Sequence, residues 1–180
     1  MNGYKIFTQV VESPLGEIML VASCRGLCVV EFLQTPLLDK LLQKVNLKYG
    51  VELVNEENDH LRQGREQLDQ YFKGERQSFD LNLDLLGTDF QKKVWESLML
   101  IPYGERISYQ QQADLLQKPK AVRAVAAANG CNPISIILPC HRVVGKNGHL
   151  TGYAGGLVRK HWLLEHEFKY AESFRIKFNQ

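Results

Sequence analysis

The sequence predicts an α/β N-terminal domain, an antiparallel sheet with helices, followed by a mostly α C-terminal domain with a helix-turn-helix. Three observations support this fold class. Short β-rich segments separated by turns fill the chain up to residue 33. Helical apolar spacing and capping signals follow from Thr88 onward. Two of these later helices are joined by a short turn. We place the boundary so that residues 1–83 form one domain and residues 84–180 the other.

The N-terminal part begins with a predicted three-stranded antiparallel meander over residues 4–33. Its segments YKIFTQVV, EIMLVAS and CVVEFL have strand composition, and the turn signals ESPLG and CRGL separate them. A helix is predicted over residues 35–50, because its apolar residues recur at helical spacing. A second helix covers residues 58–74 and ends at Gly74. Residues 77–87 are expected to be extended and to link the two parts.

Capping and terminating residues define the helices of the C-terminal part. They predict helices over residues 89–101, 108–117 and 119–129. A glycine-rich loop over residues 145–156 then precedes a last helix over residues 157–167. The signals are the capping boxes of Thr88 with Gln91 and of Ser108 with Gln111, together with Pro119 and Gly130.

The composition favours a cytosolic type of protein. The 180 residues are 44% hydrophobic and 23% charged, so the chain can bury a core and remain soluble. No run reaches the roughly 18 apolar residues of a membrane span, and the N-terminus has no secretory signal. A net charge of +2 is too small to indicate nucleic-acid binding by itself. The four cysteines are therefore expected to be reduced, in a cytoplasmic protein or, in a eukaryote, a nuclear one.

The predicted helix over residues 119–129 has an unusual composition. Its centre reads AVRAVAAA and offers a single long polar side chain, Arg123. Helices that read base edges in the major groove need several such side chains. Two interpretations remain open: the helix packs in the core through its alanines, or it enters a narrow groove of DNA and inserts Arg123.

The stretch ILPCHRVVG contains the strongest candidate for chemistry, Cys140. A free thiol is mostly protonated at neutral pH. A nucleophilic cysteine therefore needs a base, here His141, and a group that orients the base, here Glu167. A buried, inert cysteine is the alternative. A zinc site is disfavoured, because Cys24 and Cys28 have no second pair of ligands at a matching spacing.

Three segments of the C-terminal half resemble the O6-alkylguanine-DNA alkyltransferase family, the methylated-DNA–protein-cysteine methyltransferases. They are IPYGERISYQQ, PKAVRAVAAANGCNPISIILPCHRVVG and TGYAGGLVRKHWLLEHE, and the Pro-Cys-His-Arg-Val core is highly specific. The resemblance implies a ribonuclease H-like N-terminal domain and a winged-helix-like C-terminal domain. It also implies direct-reversal DNA repair. In such a reaction Cys140 takes an alkyl group irreversibly from O6 of guanine, or from O4 of thymine, and each molecule acts once.

The resemblance assigns roles to individual residues. Cys140, His141, a water molecule and Glu167 would form a proton relay. Asn132 would brace the active-site turn, and Tyr109 would donate a hydrogen bond to guanine as the oxygen leaves. The pocket for the alkylated base would be lined by Val143, Tyr153, Ala154, Gly155, Leu150 and Asn129.

The resemblance also implies a partner, double-stranded DNA containing O6-alkylguanine, bound through the minor groove. The target nucleotide would be flipped out, because its reactive atom cannot be reached within the stack, and Arg123 would fill the vacated place. The protein would act as a monomer without a cofactor. It would also lack the zinc of some relatives, because only Cys24 and Cys28 lie near ligand positions. The remaining DNA-contacting residues would be Ala121, Ala124, Gln110, Lys118, Gln91 and Lys146.

Two other functions compete with repair. A helix-turn-helix protein that binds lesions without chemistry would leave the thiol unmodified. A thiol hydrolase built on Cys140, His141 and Glu167 would turn over many times. The alanine-rich helix with Arg123 has no purpose in a hydrolase.

Overall fold

The computed structural model describes residues 5–50 and 53–178. The predicted meander begins at Tyr4, which lies outside the described residues. Within them, no helix is both long enough and apolar enough to cross a membrane. A sheet with helices comes first and a mostly helical region follows, so the predicted fold class is confirmed.

Contacts divide the chain into two compact units. The first unit contains the chain up to Gly87 together with Pro133–Ile137, and the second contains Thr88–Asn132 and the chain from Leu138 onward. The domain boundary between residues 83 and 84 stays a prediction.

A four-stranded sheet is the basis of the first unit. Its strands are β1 (Ile6–Val11), β2 (Ile18–Ala22), β3 (Leu27–Phe32) and β4 (Leu53–Val54). The order across the sheet is β3-β2-β1-β4. The first three strands form the predicted antiparallel meander. The two-residue β4 pairs in parallel with β1, and the sequence did not predict it because so short a strand shows no alternation.

Two helices pack against this sheet, α1 (Pro36–Tyr49) and α2 (Asp59–Phe72). Helix α1 ends at Gly50, whose φ of 61° lies in the left-handed region that favours glycine. Helix α2 begins after Asn58, whose side chain accepts a hydrogen bond from the backbone N–H of Leu61. The buried apolar cluster beneath α1 consists of Ile6, Val21, Cys28, Val29, Leu38, Leu41 and Val45.

The extended segment after α2 is held against the sheet by the hydrogen bonds of Asp84. Its backbone N–H donates to the carbonyl of Leu27 at 2.8 Å. Its buried carboxylate accepts hydrogen bonds from Ser23 Oγ at 2.7 Å, from Arg25 Nη2 at 3.0 Å and from the Tyr49 hydroxyl. Burial alone would raise the pKa of this carboxyl, but the hydrogen bonds from Tyr49, Ser23 and Arg25 hold the pKa below its ordinary value.

The segment Pro133–Ile137 lies beside β3, where Ile134 forms an isolated parallel bridge with Val30. The N–H of Val30 donates to the Pro133 carbonyl at 2.9 Å, and the N–H of Ser135 donates to the Val30 carbonyl at 2.7 Å. The Ser135 hydroxyl also donates to the fully buried carboxylate of Glu31 at 2.9 Å. The segment is anchored by both its backbone and a side chain.

The second unit contains four helices and a two-stranded parallel sheet among its described residues. The helices are α3 (Asp89–Leu98), α4 (Tyr109–Leu115), α5 (Val122–Asn129) and α6 (Leu157–Phe178), and the strands are β5 (Ile107–Ser108) and β6 (Val143–Val144). Both predicted capping boxes are confirmed, at the starts of α3 and α4.

Three helix ends differ from the prediction by three residues or more. Helix α3 stops before its predicted end, and α6 continues beyond its predicted end at Glu167. Helix α5 starts later than predicted. Pro119 instead occupies the second position of a turn that is closed by a hydrogen bond of 2.8 Å from the Ala121 N–H to the Lys118 carbonyl.

We predict that Asp84→Asn lowers the free energy of unfolding at pH 7 by about 2 kcal/mol, because three donors lose a charged acceptor. Because the pKa of Asp84 is lower in the folded protein than in the unfolded chain, its ionised carboxylate contributes full stability above the unfolded-state pKa of about 3.9. This contribution is lost as the pH falls through the lower, folded-state pKa. The difference between wild type and variant should therefore shrink below about pH 4. Urea titrations from pH 3 to pH 7 measure it.

Asp80→Asn is the matched control, since the hydrogen bonds of this exposed residue with other described residues involve only its backbone. If both variants lower the free energy of unfolding at pH 7 by the same amount, the stabilising role of the Asp84 carboxylate is contradicted.

Candidate active site

The small sheet of the second unit brings two candidate catalytic segments together. Strand β5 pairs with β6 in parallel, with Ile107 opposite Val143 and Ser108 opposite Val144. Tyr109 directly follows β5, and Cys140 lies in the turn that directly precedes β6. The pairing therefore places the start of α4 beside the turn that carries the thiol.

Cys140 opens a single 3₁₀ turn, Cys140–Arg142, preceded by Pro139. Cys140 as a whole is 7% exposed. Asn132 Nδ2 donates both to the carbonyl of Leu138, at 2.8 Å, and to Cys140 Sγ, at 3.2 Å. One buried amide thus fixes the backbone before the thiol and offers the sulfur a hydrogen bond that favours its anionic form.

Glu167, on α6, binds the other side of the turn. Its Oε1 lies 2.8 Å from His141 Nε2, and both side chains are fully buried. Arg142 forms a two-pronged ion pair with the same carboxylate, with Nε 2.8 Å from Oε2 and Nη2 3.0 Å from Oε1. The backbone N–H of Gly104 donates to Oε2 at 3.1 Å. The requirement of a nucleophilic cysteine for a base and an orienting group had already singled out His141 and Glu167 in the sequence, and the resemblance gave them the same roles. Sequence reasoning missed Arg142 and Gly104.

The ionisation of this group follows from its partners. Burial pushes the pKa of Glu167 upward, but His141 and Arg142 outweigh burial and hold that pKa well below its usual range. Burial lowers the pKa of His141, and the charges of Arg142 and Lys160 lower it further against the attraction of Glu167. At neutral pH the resting state therefore contains an anionic Glu167 and a neutral His141.

The neutral imidazole of His141 has two distinct nitrogens. Nε2 carries the hydrogen that it donates to Glu167. Nδ1 is then a lone-pair acceptor, and it is buried with no hydrogen-bond partner in the part of the chain that the structure describes. The imidazole is thus ready to take up a proton at Nδ1 while Glu167 holds its orientation.

A buried lysine, Lys160, was not predicted from the sequence. Its Nζ donates to the carbonyls of Val143 at 2.6 Å and Thr151 at 2.8 Å, and lies 5.8 Å from the centre of the Tyr109 ring. Burial lowers the pKa of Lys160 to about 8, although Cys140 opposes the shift. The available signal was its position two helical turns before Glu167, on the same face of a predicted helix.

Tyr109 contacts the glycine-rich loop. Its hydroxyl donates to the carbonyls of Thr151 at 3.2 Å and Gly152 at 3.4 Å. Burial raises the pKa of Tyr109, and Cys140 raises it further. The phenol therefore keeps its proton at neutral pH and can act as a hydrogen-bond donor.

The predicted pocket residues have different environments. Val143 is fully buried and Gly155 is buried, whereas Tyr153, Ala154 and Leu150 are half-buried. Leu150 lines an apolar cavity together with Leu157, Val158, His161, Trp162 and Glu165. Asn129 is buried, and its side-chain amide donates to Gln112 Oε1 at 2.6 Å.

Most of the predicted DNA-contacting residues lie at the surface. Arg123 and Ala124 are exposed on α5, and Lys118 and Lys146 are exposed in loops. Ala121 is half-buried at the start of α5. Two glutamines are already engaged within the protein: Gln91 in its capping box, and Gln110 with Asp114 and the carbonyl of Pro119.

Charge is divided unequally along the chain. Residues 1–87 contain nine Lys and Arg against thirteen Asp and Glu, a formal charge of −4. Residues 88–180 contain thirteen Lys and Arg against seven Asp and Glu, a formal charge of +6. The half of the chain with the helix-turn-helix is therefore basic, which suits a polyanionic partner and is hidden by the small net charge of the whole.

The cysteines do not form a metal site among the described residues. Cys24 is exposed, whereas Cys28 is buried in the core of the first unit. No three His, Cys, Asp or Glu side chains in the described ranges lie close enough together to hold a metal ion. The absence of a metal stays a prediction.

The arrangement around Cys140 can therefore support a nucleophilic substitution. A thiol lies beside an amide donor, an imidazole with a free acceptor nitrogen lies next to it in the chain, and a fixed anion stabilises that imidazole when it is protonated. The Tyr109 phenol keeps its proton at neutral pH and can donate to a leaving group by exchanging its hydrogen bond to the Thr151 carbonyl.

Comparison with known families identifies both parts of the chain. The family sequence model of the 6-O-methylguanine DNA methyltransferase ribonuclease-like domain matches residues 6–85. The model of the DNA binding domain of the same methyltransferase matches residues 89–169.

Similar proteins and structures cover nearly the whole chain. A methylated-DNA–protein-cysteine methyltransferase of Methanosarcina barkeri is 43% identical over 162 residues, which are 90% of this chain and 97% of that protein. The crystal structure of Mycobacterium tuberculosis OGT in complex with DNA has a TM-score of 0.79 at 40% identity, covering 91% of this chain and 94% of the other. An O6-methylguanine-DNA methyltransferase from the archaeon Pyrococcus kodakaraensis has a TM-score of 0.66 at 29% identity, covering 90% and 98%.

The buried lysine generates a prediction about pH. Its folded-state pKa of about 8 lies below the unfolded value of about 10.4. Between these values the unfolded chain binds about one more proton than the folded protein, so the free energy of unfolding gains a contribution that rises with pH. We expect Lys160→Met to remove this rise, as measured by urea titrations from pH 7.5 to pH 10.

Lys169→Met, at an exposed position of the same helix, serves as the control. Parallel pH profiles for wild type and Lys160→Met would show that the lysine is charged in the folded protein across this range.

Proposed function

This chain belongs to the 6-O-methylguanine DNA methyltransferase family, and we propose that it repairs DNA by a single, irreversible transfer of an alkyl group from O6 of guanine, or O4 of thymine, to Cys140. The observation that carries the assignment to Cys140 is the environment of its thiol. Asn132 donates a hydrogen bond to the sulfur, and the adjacent His141 is oriented by Glu167. No other cysteine of the described residues has an imidazole–carboxylate pair next to it in the chain.

The reaction begins with removal of the thiol proton. A water molecule passes this proton from Cys140 to Nδ1 of His141, the imidazole nitrogen that makes no hydrogen bond within the described residues. Glu167 stabilises the imidazolium that results, because its carboxylate already accepts from Nε2. Glu167 itself stays ionised, since Arg142 pairs with both of its oxygens.

The transfer itself is a substitution at the alkyl carbon. The thiolate sulfur forms a bond to this carbon while the bond from the carbon to O6 breaks, and the released electron pair stays on guanine. The hydroxyl of Tyr109 donates a hydrogen bond that offsets this developing negative charge. The proton lost by the thiol finally replaces the alkyl group on guanine. The thioether on Cys140 is stable, so each molecule reacts once.

The partner is double-stranded DNA, approached by the helix-turn-helix through the minor groove. Helix α5 presents the small side chains of Ala121 and Ala124 and the single exposed cation Arg123, which suits a narrow groove. Arg123 takes the place of the flipped nucleotide, and Lys118 and Lys146 contact phosphates. Gln91 and Gln110 add further contacts to the DNA backbone. The formal charge of +6 over residues 88–180 favours such binding. The protein acts as a monomer, in the cytoplasm or, in a eukaryote, the nucleus.

The alkylated guanine is received between the active-site turn and the glycine-rich loop. Lys160 holds these two segments together through the carbonyls of Val143 and Thr151. Leu150, Tyr153, Ala154 and Gly155 form the loop side of the pocket.

We expect the protein, mixed with a duplex containing O6-methylguanine, to gain one CH₂ unit of mass, on Cys140 alone and never more than once per chain. Intact-mass measurement followed by peptide mapping checks this. Cys140→Ala should bind the same duplex and remain unmodified. No mass change in a folded, DNA-bound wild type would indicate a lesion-binding protein. Repeated turnover on an ester would indicate a thiol hydrolase.

We predict that Arg123→Ala slows transfer from the duplex by about ten- to a hundredfold. Flipping the nucleotide costs a few kcal/mol, and the variant lacks the side chain that fills the vacated place in the stack. Transfer from the free base O6-methylguanine, which needs no flipping, should change little. Rate constants on the two substrates give the comparison. Arg62→Ala, which removes an equal charge from an exposed ion pair in the first unit, is the control. Equal losses on both substrates would refute the flipping role.

A further inference from the structure

We propose that Gln112 and Asn129 form a buried positioning pair that fixes the helix-turn-helix relative to the turn supporting the thiol. The pair acts on the rate of transfer without touching the substrate. This inference rests on the function proposed above, since the process it influences is alkyl transfer to Cys140.

Gln112, on α4, is fully buried and connects three helices. Its Nε2 donates to the carbonyl of Val94 at 3.2 Å and to Ser97 Oγ at 3.1 Å, both on α3. Its Oε1 accepts from Asn129 Nδ2, on the last residue of α5, at 2.6 Å. Both ends of the Gln112 amide are therefore engaged, one with α3 and the other with α5.

Asn129 continues the connection toward the active site. Its backbone carbonyl accepts from the N–H of Asn132 at 3.1 Å. Asn132 in turn donates to the Leu138 carbonyl and to Cys140 Sγ. A continuous chain of buried hydrogen bonds thus runs from α3 through Gln112, Asn129 and Asn132 to the thiol.

A pair of amide side chains is unusual in the buried contact between α4 and α5. The buried neighbours on these helices include Val94, Trp95, Leu98, Ala113, Val125 and Ala128. An apolar pair would pack there without the cost of desolvating two amides. Apolar contacts tolerate sliding, whereas a fully satisfied amide pair fixes one relative placement of the helices. Trp95 Nε1, which donates to the Ala128 carbonyl at 2.8 Å, fixes the same end of α5.

The relative placement of these helices matters for the reaction. Helix α4 begins with Tyr109 and helix α5 carries Arg123, while the turn after α5 carries Asn132. The leaving-group donor, the flipping residue and the thiol support are therefore attached to the elements that Gln112 and Asn129 join. Because a displacement of about 1 Å can slow an oriented reaction a hundredfold, their alignment controls the rate.

This role differs from the contact with the alkylated base that the family resemblance implies for Asn129. Its Nδ2 is committed to Gln112 Oε1. A direct contact would make Asn129 important and Gln112 irrelevant to transfer, so the two roles can be separated by experiment.

The test uses Gln112→Leu, Asn129→Leu and the double variant. A single-turnover assay with the O6-methylguanine duplex measures the maximal rate constant at saturating DNA, and competition with unmodified duplex measures the dissociation constant. We expect each single change to lower the maximal rate constant about tenfold. The dissociation constant should stay within about threefold. The double variant should be no slower than the slower single variant, because both changes break the same link.

The double variant also separates positioning from stability. It leaves no buried polar group without a partner in this pair, so it should recover thermal stability that the single variants lose. Recovered stability with a rate constant that stays low supports positioning. Recovered stability together with a wild-type rate constant would overturn it, and this comparison remains available if a single variant fails to fold. Leu98→Ala, at a fully buried position of α3 outside the pair, reports how destabilisation alone affects the rate constant.

Two further outcomes are decisive. If Asn129→Leu lowers the maximal rate constant while Gln112→Leu leaves it at the wild-type value, the proposal is overturned and direct contact of Asn129 with the base is favoured. A wild type that transfers no alkyl group would instead overturn the proposed function, and it is recognised in the same assay before any variant is compared.

Discussion

The candidate active site depends above all on one buried carboxylate, that of Glu167. It accepts hydrogen bonds from an imidazole, a guanidinium and a backbone amide, and these come from the active-site turn and from the loop after α3. Arg142 extends the connection, because its Nη1 donates to the carbonyl of Ile101 at 2.6 Å. Removing one partner of such a buried pair typically costs about 3–5 kcal/mol, since the other charge is left unpaired. The same ion pair therefore stabilises the second unit. Burial, together with the charges of Arg142 and Lys160, keeps His141 neutral against the attraction of Glu167.

The sequence predicted the local features well, because each depended on neighbouring residues. The capping boxes of α3 and α4 need only residues three positions apart, and the strands of the meander are recognisable from their β-rich composition and the turn signals between them. The stretch around Cys140 identified the thiol and its neighbour His141. Features built from distant segments were missed. Strands β5 and β6 are too short to show a period. The partners of Lys160, and one of the partners of Arg142, are backbone carbonyls that no residue type reveals.

Helix α5 illustrates a second limit of sequence reasoning. Its alanines allowed either core packing or groove binding, and the structure has buried and exposed positions on the same short helix. Val125 and Ala128 are buried, whereas Arg123, Ala124 and Ala127 are exposed. The polar end of the helix, at Asn129, gave no hint of its partner. An amide–amide contact between helices depends on their crossing, which the pattern of one helix does not contain.

The anchoring of Pro133–Ile137 limits how far this protein can be dissected. The chain leaves the second unit after Asn132, forms hydrogen bonds with β3, and returns only at Leu138, just before the nucleophile. A fragment that starts at Thr88 would keep every residue of the catalytic group yet strip these five residues of their backbone and Glu31 partners. The four buried proline and isoleucine side chains of that stretch, Pro133, Ile134, Ile136 and Ile137, would be exposed to water. Residues 88–180 are therefore not expected to be stable and active when expressed alone or fused to another protein, unless β3 is included.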